Sequence, residues 1–456
     1  MFFLTRASAW QRIALLCVLW LPTMVAAASR PVPHAFIPDQ PVEALPPPPE
    51  PAAQASPGAL TAADLVKQIL QRNPGLSAVH SAAAAAQAKI YPAGALDDPT
   101  LSFALPPQTV GSQIGVRENL QISQAIPWPG TLRLRRSAAQ ALAESATQQV
   151  EDFRLQLAAK ARADYAQWDY VFRAIAINDR NQTLLKRLTA VAETAYASGQ
   201  APQQDVLQAE VEATHLQNQA LELERRRQQV QAAINGLLNR EPDAALPAPA
   251  GLATSAMLPA FAQLRDTALA RYPQLKSLDA QIASRQDQVA LARKKYYPDF
   301  KLTAGYNSLW MNPRLRSIVG VSINLPFDFK KRNAWLDEAN AELHQSQSRL
   351  LDARARLLSE LQQAYAAAEQ ARQTLQLYDQ RLLPLSRLNL QAAEADYSNG
   401  NGSFLNLITA EQRYLNAELE QASAAADLFT QRANLDYQTG GVLFPSASTT
   451  AQDVQP

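Results

Sequence analysis

Tyr196-Ala197-Ser198-Gly199-Gln200-Ala201-Pro202-Gln203-Gln204-Asp205-Val206-Leu207-Gln208-Ala209 returns in altered form as Tyr397-Ser398-Asn399-Gly400-Asn401-Gly402-Ser403-Phe404-Leu405-Asn406-Leu407-Ile408-Thr409-Ala410. In both, an aromatic residue is followed three positions on by glycine, then by a short polar gap and a new apolar run. Gly199 and Gly400 suit the left-handed residue that ends a helix. Each stretch therefore reads as a tight turn between two helices. Upstream of the first turn, Thr131 to Ala197 contains no Gly or Pro. At 1.5 Å per residue that is a helix on the order of 100 Å long. Such a helix cannot bury itself in an ordinary globule and needs coiled-coil partners. Downstream, Val206, Ala209, Ala213, Leu216, Ala220, Leu223, Arg227, Val230, Ile234 and Leu237 follow alternating spacings of three and four. Leu357, Leu361, Ala364, Ala368, Ala371, Leu375, Tyr378, Leu382 and Leu385 do the same. Both are heptad seams. Their many alanines permit close helix approach, and Pro384 is expected to bend the second long helix.

The turns belong to a larger duplication. Leu65 to Ile69 leads into Asn73-Pro74, and Leu264 to Leu269 into Tyr272-Pro273. A helix-to-extended junction at Tyr91-Pro92 has its counterpart at Tyr297-Pro298, and Pro127-Trp128-Pro129-Gly130 its counterpart at Pro326-Phe327-Asp328-Phe329. The offsets cluster near roughly 200 residues, far above the period of a solenoid. Each half has one order: a helix, two short strands, a very long helix, the glycine turn and another long helix. The fold class is mainly α with a small β part. The boundaries read as a signal peptide at 1–28 and a Pro/Ala-rich linker at 29–58. A first repeat follows at 59–240, an inter-repeat linker at 241–259, a second repeat at 260–444 and a polar tail at 445–456.

The strands alternate with period two. Phe300, Leu302, Ala304 and Tyr306 share one side against Lys301, Thr303, Gly305 and Asn307; Val319, Val321, Ile323 and Leu325 oppose Gly320, Ser322 and Asn324. In the first half Leu101, Phe103 and Leu105 alternate with Ser102 and Ala104, and Leu120 and Ile122 with Gln121 and Ser123. Alternation alone leaves two readings open: a sheet packed on a helix layer, or a barrel with lipid outside and water inside. The aromatic residues Tyr296, Tyr297, Tyr306, Trp310 and Trp128 near the strand ends fit interfacial belts or junction packing equally; Trp128, at a strand-to-helix crossing, reads as packing.

Bulk properties narrow the function. Lys+Arg is 42 and Asp+Glu is 41. Arg6 and Arg12 fall in the first 28 residues, leaving 40 against 41. No basic surplus calls for nucleic acid. Arg6 and Arg12, the apolar run Ile13 to Leu21 and Ala26-Ala27-Ala28 form a secretory signal. Cys17, the only cysteine, lies inside it behind Leu16, where lipid attachment wants a small residue, so the mature chain is expected to lack both thiol and lipid. No apolar stretch beyond the signal is long enough for a spanning helix. His34, His80, His215 and His344 stand far apart, and Met257 and Met311 have no ligand spacing to them, so no metal site and no cofactor are expected. There is no phosphate loop, nucleophile elbow or paired-histidine zinc motif, and the chain does not read as an enzyme.

The two turns, the duplicated order of elements and the pattern aromatic-x-x-Gly followed six residues later by Asp-Val-Leu-x-Ala together resemble the TolC family of outer-membrane efflux channels. Gly94-Ala95-Leu96-Asp97-Asp98-Pro99 and Gln124-Ala125-Ile126-Pro127-Trp128-Pro129-Gly130 look like its heavy-metal branch, the CusC and CzcC kind. The resemblance implies a homotrimer whose four strands per chain close a twelve-stranded barrel in outer-membrane lipid, continued by a periplasmic α-helical barrel. It implies tips that dock a periplasmic adaptor and an inner-membrane pump of the RND type, with cargo such as copper or silver ions. The tip residues expected to dock the partner are Tyr196, Gly199, Asp205, Val206 and Leu207, with Tyr397, Gly400, Leu405 and Leu407. Gate candidates are Asp205, Asn406 and Thr409. The family's acidic positions at the second tip fall here on neutral Asn406 and Thr409, so any acidic entrance rests on Asp205, which could instead cap its helix. The competing reading is a periplasmic adaptor or coiled-coil scaffold, which would show one hairpin flanked by β-rich domains.

Overall fold

The structure, a computed structural model, describes residues 59–105, 118–253, 257–308, 310 and 312–444. The expected signal segment, the linker after it and the tail from 445 lie outside the described residues.

Each repeat opens with two helices where the sequence suggested one. These are α1 (Ala62–Arg72) and α2 (Pro74–Ala88) in the first repeat. The second repeat has its own pair, named below with its later elements. The break falls at Asn73-Pro74 and Tyr272-Pro273 because a residue before proline is driven out of the helical region; Asn73 and Tyr272 have ψ of 119° and 118°. Asn73 then caps α2 by accepting from the Leu76 N–H at 3.2 Å. A short α3 (Ile90–Gly94) follows. It corrects the expected junction at Tyr91-Pro92: Pro92 sits in a first turn, where its missing N–H costs nothing, and the chain turns extended only at Ala95. Strands β1 (Thr100–Ala104) and β2 (Asn119–Ile126) lead to α4 (Thr131–Ala197) and α5 (Gln203–Leu237). The second repeat runs α6 (Phe261–Arg271), α7 (Pro273–Lys294), β3 (Phe300–Asn307), β4 (Ser317–Ile323), α8 (Phe329–Leu377), a π-helical turn at Tyr378–Leu382, α9 (Leu383–Ser398) and α10 (Phe404–Gln438).

The four strands make one antiparallel sheet in the order β1-β2-β3-β4. The central β2–β3 pairing joins the two repeats, with Leu120 opposite Tyr306 and Ile122 opposite Ala304. Partners in register share a side. One side carries Leu101, Phe103, Leu120, Ile122, Leu302, Tyr306, Val319, Val321 and Ile323; the other carries Ser102, Gln121, Ser123, Thr303, Gly305 and Ser322. The apolar side is open: those nine residues are exposed, Val319 to 86%. Among the described residues no helix covers the apolar side, which removes the reading of a sheet packed on a helix layer.

The long helices pack as the seams predicted. Ala209, Leu216, Leu223 and Ile234 are buried on α5, and Leu357, Leu361, Ala368, Ala371 and Leu375 on α8. The second seam then changes phase. Leu382 and Leu385, its expected last members, are exposed, while Leu383 is half-buried and Leu390 buried. A π turn holds one extra residue, which rotates everything after it by about one helical position. Pro384 follows directly, in the first turn of α9.

At the middle of the helices, Leu65, Ile69, Tyr165, Trp168, Ile234 and Phe429 form the largest core. The inter-repeat segment is tied across it. Trp168 Nε1 donates to the Pro247 carbonyl at 3.0 Å, and Tyr165 OH donates to the Gly251 carbonyl at 3.2 Å. A second core, including Leu185, Leu188, Leu216, Phe404, Leu407 and Leu415, lies toward the glycine turns.

Candidate functional site: the paired helical tips

The two turns have one geometry. Gly199 and Gly400 have φ of +72° and +74°. The Gly199 N–H donates to the Tyr196 carbonyl at 3.0 Å and the Gln200 N–H to the Ala195 carbonyl at 2.8 Å. In the second turn Gly400 donates to Tyr397 at 3.1 Å and Asn401 to Asp396 at 2.9 Å. These are Schellman closures, which use the last carbonyls of α4 and α9 and reverse the chain in a few residues. Space is not the constraint, since a Cβ at either glycine would meet nothing within 4 Å. The positive φ is. Gly402, which the sequence reading passed over, is constrained by space instead: its Cβ would lie 3.1 Å from the Tyr397 nitrogen.

The tips lie side by side around a cleft of 630 Å³ lined by Val191, Thr194, Pro202, Asp205, Tyr397 and Phe404 among others. Tyr397 bridges them. Its ring meets Phe404 edge-on at 5.3 Å, and its hydroxyl points to the Asp205 carboxylate at 3.5 Å, a long contact. Burial pushes the Asp205 carboxyl up, with the Tyr397 hydroxyl opposing the shift. Asp205 stands in the first turn of α5, where the helix dipole favours an anion. Among the described residues its carboxylate meets the Tyr397 hydroxyl and no backbone N–H of α5.

The expected docking residues divide. Tyr196, Leu207 and Leu405 are exposed apolar groups at the tips, and Val206 is half-buried. Leu407, at 1% exposure, belongs to the tip core and not to the exposed surface. It faces inward because it continues the α10 seam with Phe404, Ile408 and Leu415, where the helices close on each other. Of the gate candidates, Asn406 is exposed, and Thr409 is half-buried with its hydroxyl donating to the Leu405 carbonyl at 2.7 Å.

Two buried acids escaped the sequence reading. Glu212 on α5 accepts from Gln412 Nε2 at 2.6 Å. Glu411 on α10 is fully buried, and neither carboxylate oxygen has a partner. Burial, and then the Glu212 charge, push the Glu411 carboxyl up to about 7. The signal was legible: Phe404, Ile408, Glu411 and Leu415 follow the four-three spacing of a seam. Among the described residues, no three His, Cys, Asp or Glu side chains converge as a metal site would require, and no helix is long and apolar enough to cross a membrane.

Residues 264–441 match the outer membrane efflux protein family. No curated protein matches the chain. Among solved structures, the outer-membrane channel OprN is similar over 84% of this chain and 91% of its own, with 22% identity and a TM-score of 0.73. CusC, described with its transmembrane channel formation, is similar over 84% and 92%, with 18% identity and a TM-score of 0.74. The outer membrane protein VceC of Vibrio cholerae is similar over 84% and 96%, with 18% identity and a TM-score of 0.71. The chain thus has the fold of the outer-membrane channels, and its second repeat carries the sequence match to the outer membrane efflux protein family.

Proposed function

We propose that the chain is one protomer of a trimeric outer-membrane efflux channel, a passive duct that carries to the exterior what an adaptor and an inner-membrane pump deliver to its tips. The observation that carries this reading is the four-stranded sheet. Among the described residues its apolar side is uncovered, and β1 and β4 are unpaired edges. Open strand edges are not tolerated in lipid, and four strands cannot close a barrel. Three copies joined β4 to β1 satisfy every edge and place the apolar side against the acyl chains. The polar side then lines a water path, continued through the periplasm by the helices. The adaptor alternative fits poorly, because this chain has two hairpins in tandem and shares their strands in one sheet. The exposed Tyr196, Leu207 and Leu405 offer the partner its apolar contacts, and Asp205 with Tyr397 holds the two tips together in the closed state.

Heavy-metal ions such as copper or silver are the cargo suggested by the segments Gly94–Pro99 and Gln124–Gly130. The test is fractionation and gel mobility. The protein should sediment with outer membrane and run as a heat-labile trimer in detergent. A soluble periplasmic monomer would overturn the reading. A deletion strain challenged with copper, silver, zinc, cobalt and a drug panel then separates metal from drug cargo.

A further inference from the structure

The chain crosses between sheet and helices four times, and each crossing is marked by an aromatic ring with cations on its helix side. Tyr91 follows Lys89 ahead of β1. Trp128 precedes Arg133, Arg135 and Arg136 after β2. Arg293-Lys294-Lys295 leads into Tyr296-Tyr297 ahead of β3, and Phe327 and Phe329 precede Lys330-Lys331-Arg332 after β4. The acids within the crossings are Asp97, Asp98, Asp299 and Asp328, and Glu338 and Glu342 line one pocket with Arg135, Lys294 and Lys295. Two of those carboxylates are spent on backbone: Asp299 accepts from the Trp128 N–H at 2.8 Å and Asp328 from the Lys331 N–H at 3.0 Å.

Among the described residues, none of the ten cations forms an ion pair, although the helices elsewhere hold ten such pairs. Three of the amines instead rest on aromatic faces. Lys295 and Lys331 lie 4.0 and 4.8 Å from the Trp335 ring, and Lys294 lies 5.6 Å from Tyr297. Most of the set is exposed. The apolar side of the sheet runs into it without a break, through exposed Leu325, Phe327 and Phe329. At the far end of the sheet, the β3–β4 turn carries only Arg314 and Arg316.

We propose that these crossings form a girdle that binds anionic phospholipid headgroups of the leaflet on the helical side of the membrane. The inference rests on the channel reading. The occupant follows from charge and continuity: exposed cations that hold no ion pair, continuous with a lipid-facing sheet, meet phosphodiesters, with aromatic rings beside them. Amines held over rings remain available to a phosphate, unlike amines held by carboxylates.

The test uses the full mature chain in vesicles of phosphatidylcholine alone, or with roughly a third phosphatidylglycerol, and reads the temperature at which the oligomer dissociates. Wild type should gain several degrees with phosphatidylglycerol and retain that lipid in native mass spectrometry. K294Q/K295Q/K330Q/K331Q should lose more than half of the gain, and the milder K330Q/K331Q part of it. High salt, which shortens the Debye length to a few ångströms, should do the same. An equal gain in wild type and variants would overturn the girdle while leaving the channel standing. So would an equal loss of stability in both vesicle types, which would assign the cations to a neighbouring protomer. A chain that never enters vesicles would overturn both readings.

Discussion

At the residue scale, the tips depend on two glycines for backbone geometry and on one acid for a tension in the core. A β-branched residue at Gly199 or Gly400 would have to hold a left-handed φ, costing about 1–2 kcal/mol per site. The cost falls on the turn and not on the sheet or the central core. Gly199→Val and Gly400→Val are therefore expected to lower export well before they lower trimer yield, as measured by drug or metal accumulation beside a detergent gel. Normal export in both would remove the tips from the mechanism. Glu411 acts in the opposite sense. An unfolded chain would titrate it near 4.5 and the folded one near 7. A carboxyl raised on folding destabilises when ionised, so stability should fall as pH rises through that window and stay low above it. The penalty is at most about 3 kcal/mol. Melting at pH 5 and pH 8 should show a drop in wild type that Glu411→Gln flattens, and Glu411→Leu should melt highest at pH 8. Matching slopes in wild type and Glu411→Gln would sink the account.

At the element scale, the phase change in the second long helix has two candidate causes, the π turn and Pro384. They are separable. Proline in a helix interior removes one N–H and collides with the carbonyl four residues back. A π turn just ahead of it relieves that collision, but the seam shift comes from the extra residue itself. Pro384→Ala is therefore expected to leave the seam shift in place, because the backbone runs helical without a break through the π turn into α9. It should leave Leu385 exposed and Leu390 buried. Because Cys17 is the only cysteine and falls in the expected signal, Leu385→Cys and Leu390→Cys can be probed singly with a thiol reagent. Fast labelling at 385 and slow labelling at 390, with and without the proline, is the expected result. Loss of that contrast in Pro384→Ala would make the proline the cause.

At the scale of the whole molecule, the sheet decides where the chain can live. An apolar side left open in water would invite aggregation, and two free edges would extend it. Both liabilities vanish if copies close in lipid. Val319→Asp with Val321→Asp places charge on the exposed apolar side without touching the helical seams. It should abolish assembly in outer membrane, since charge on the lipid side of a barrel costs up to a few kcal/mol per site, while far-UV circular dichroism keeps its helical form. Unchanged outer-membrane trimers would mean that this side does not meet lipid.

The local rules of the chain were legible in sequence. Glycine with no side chain marked both turns, period two marked the strands, and a three-four alternation marked the helices, because each depends on neighbours a few residues apart. The helix limits Thr131 and Ala197 follow from Pro129-Gly130 and Gly199 in this way. Three features waited for the tertiary structure. The π turn hides in sequence because one extra residue in a helix changes no residue type. Whether helices cover the apolar side of the sheet depends on where the helices go, and alternation is the same for either outcome. The like-charge proximity of buried Glu411 and Glu212, and the contact of Asp205 with Tyr397, join residues about 200 positions apart. Only the packing of the two repeats against each other brings such groups together, and their charge states follow from that packing.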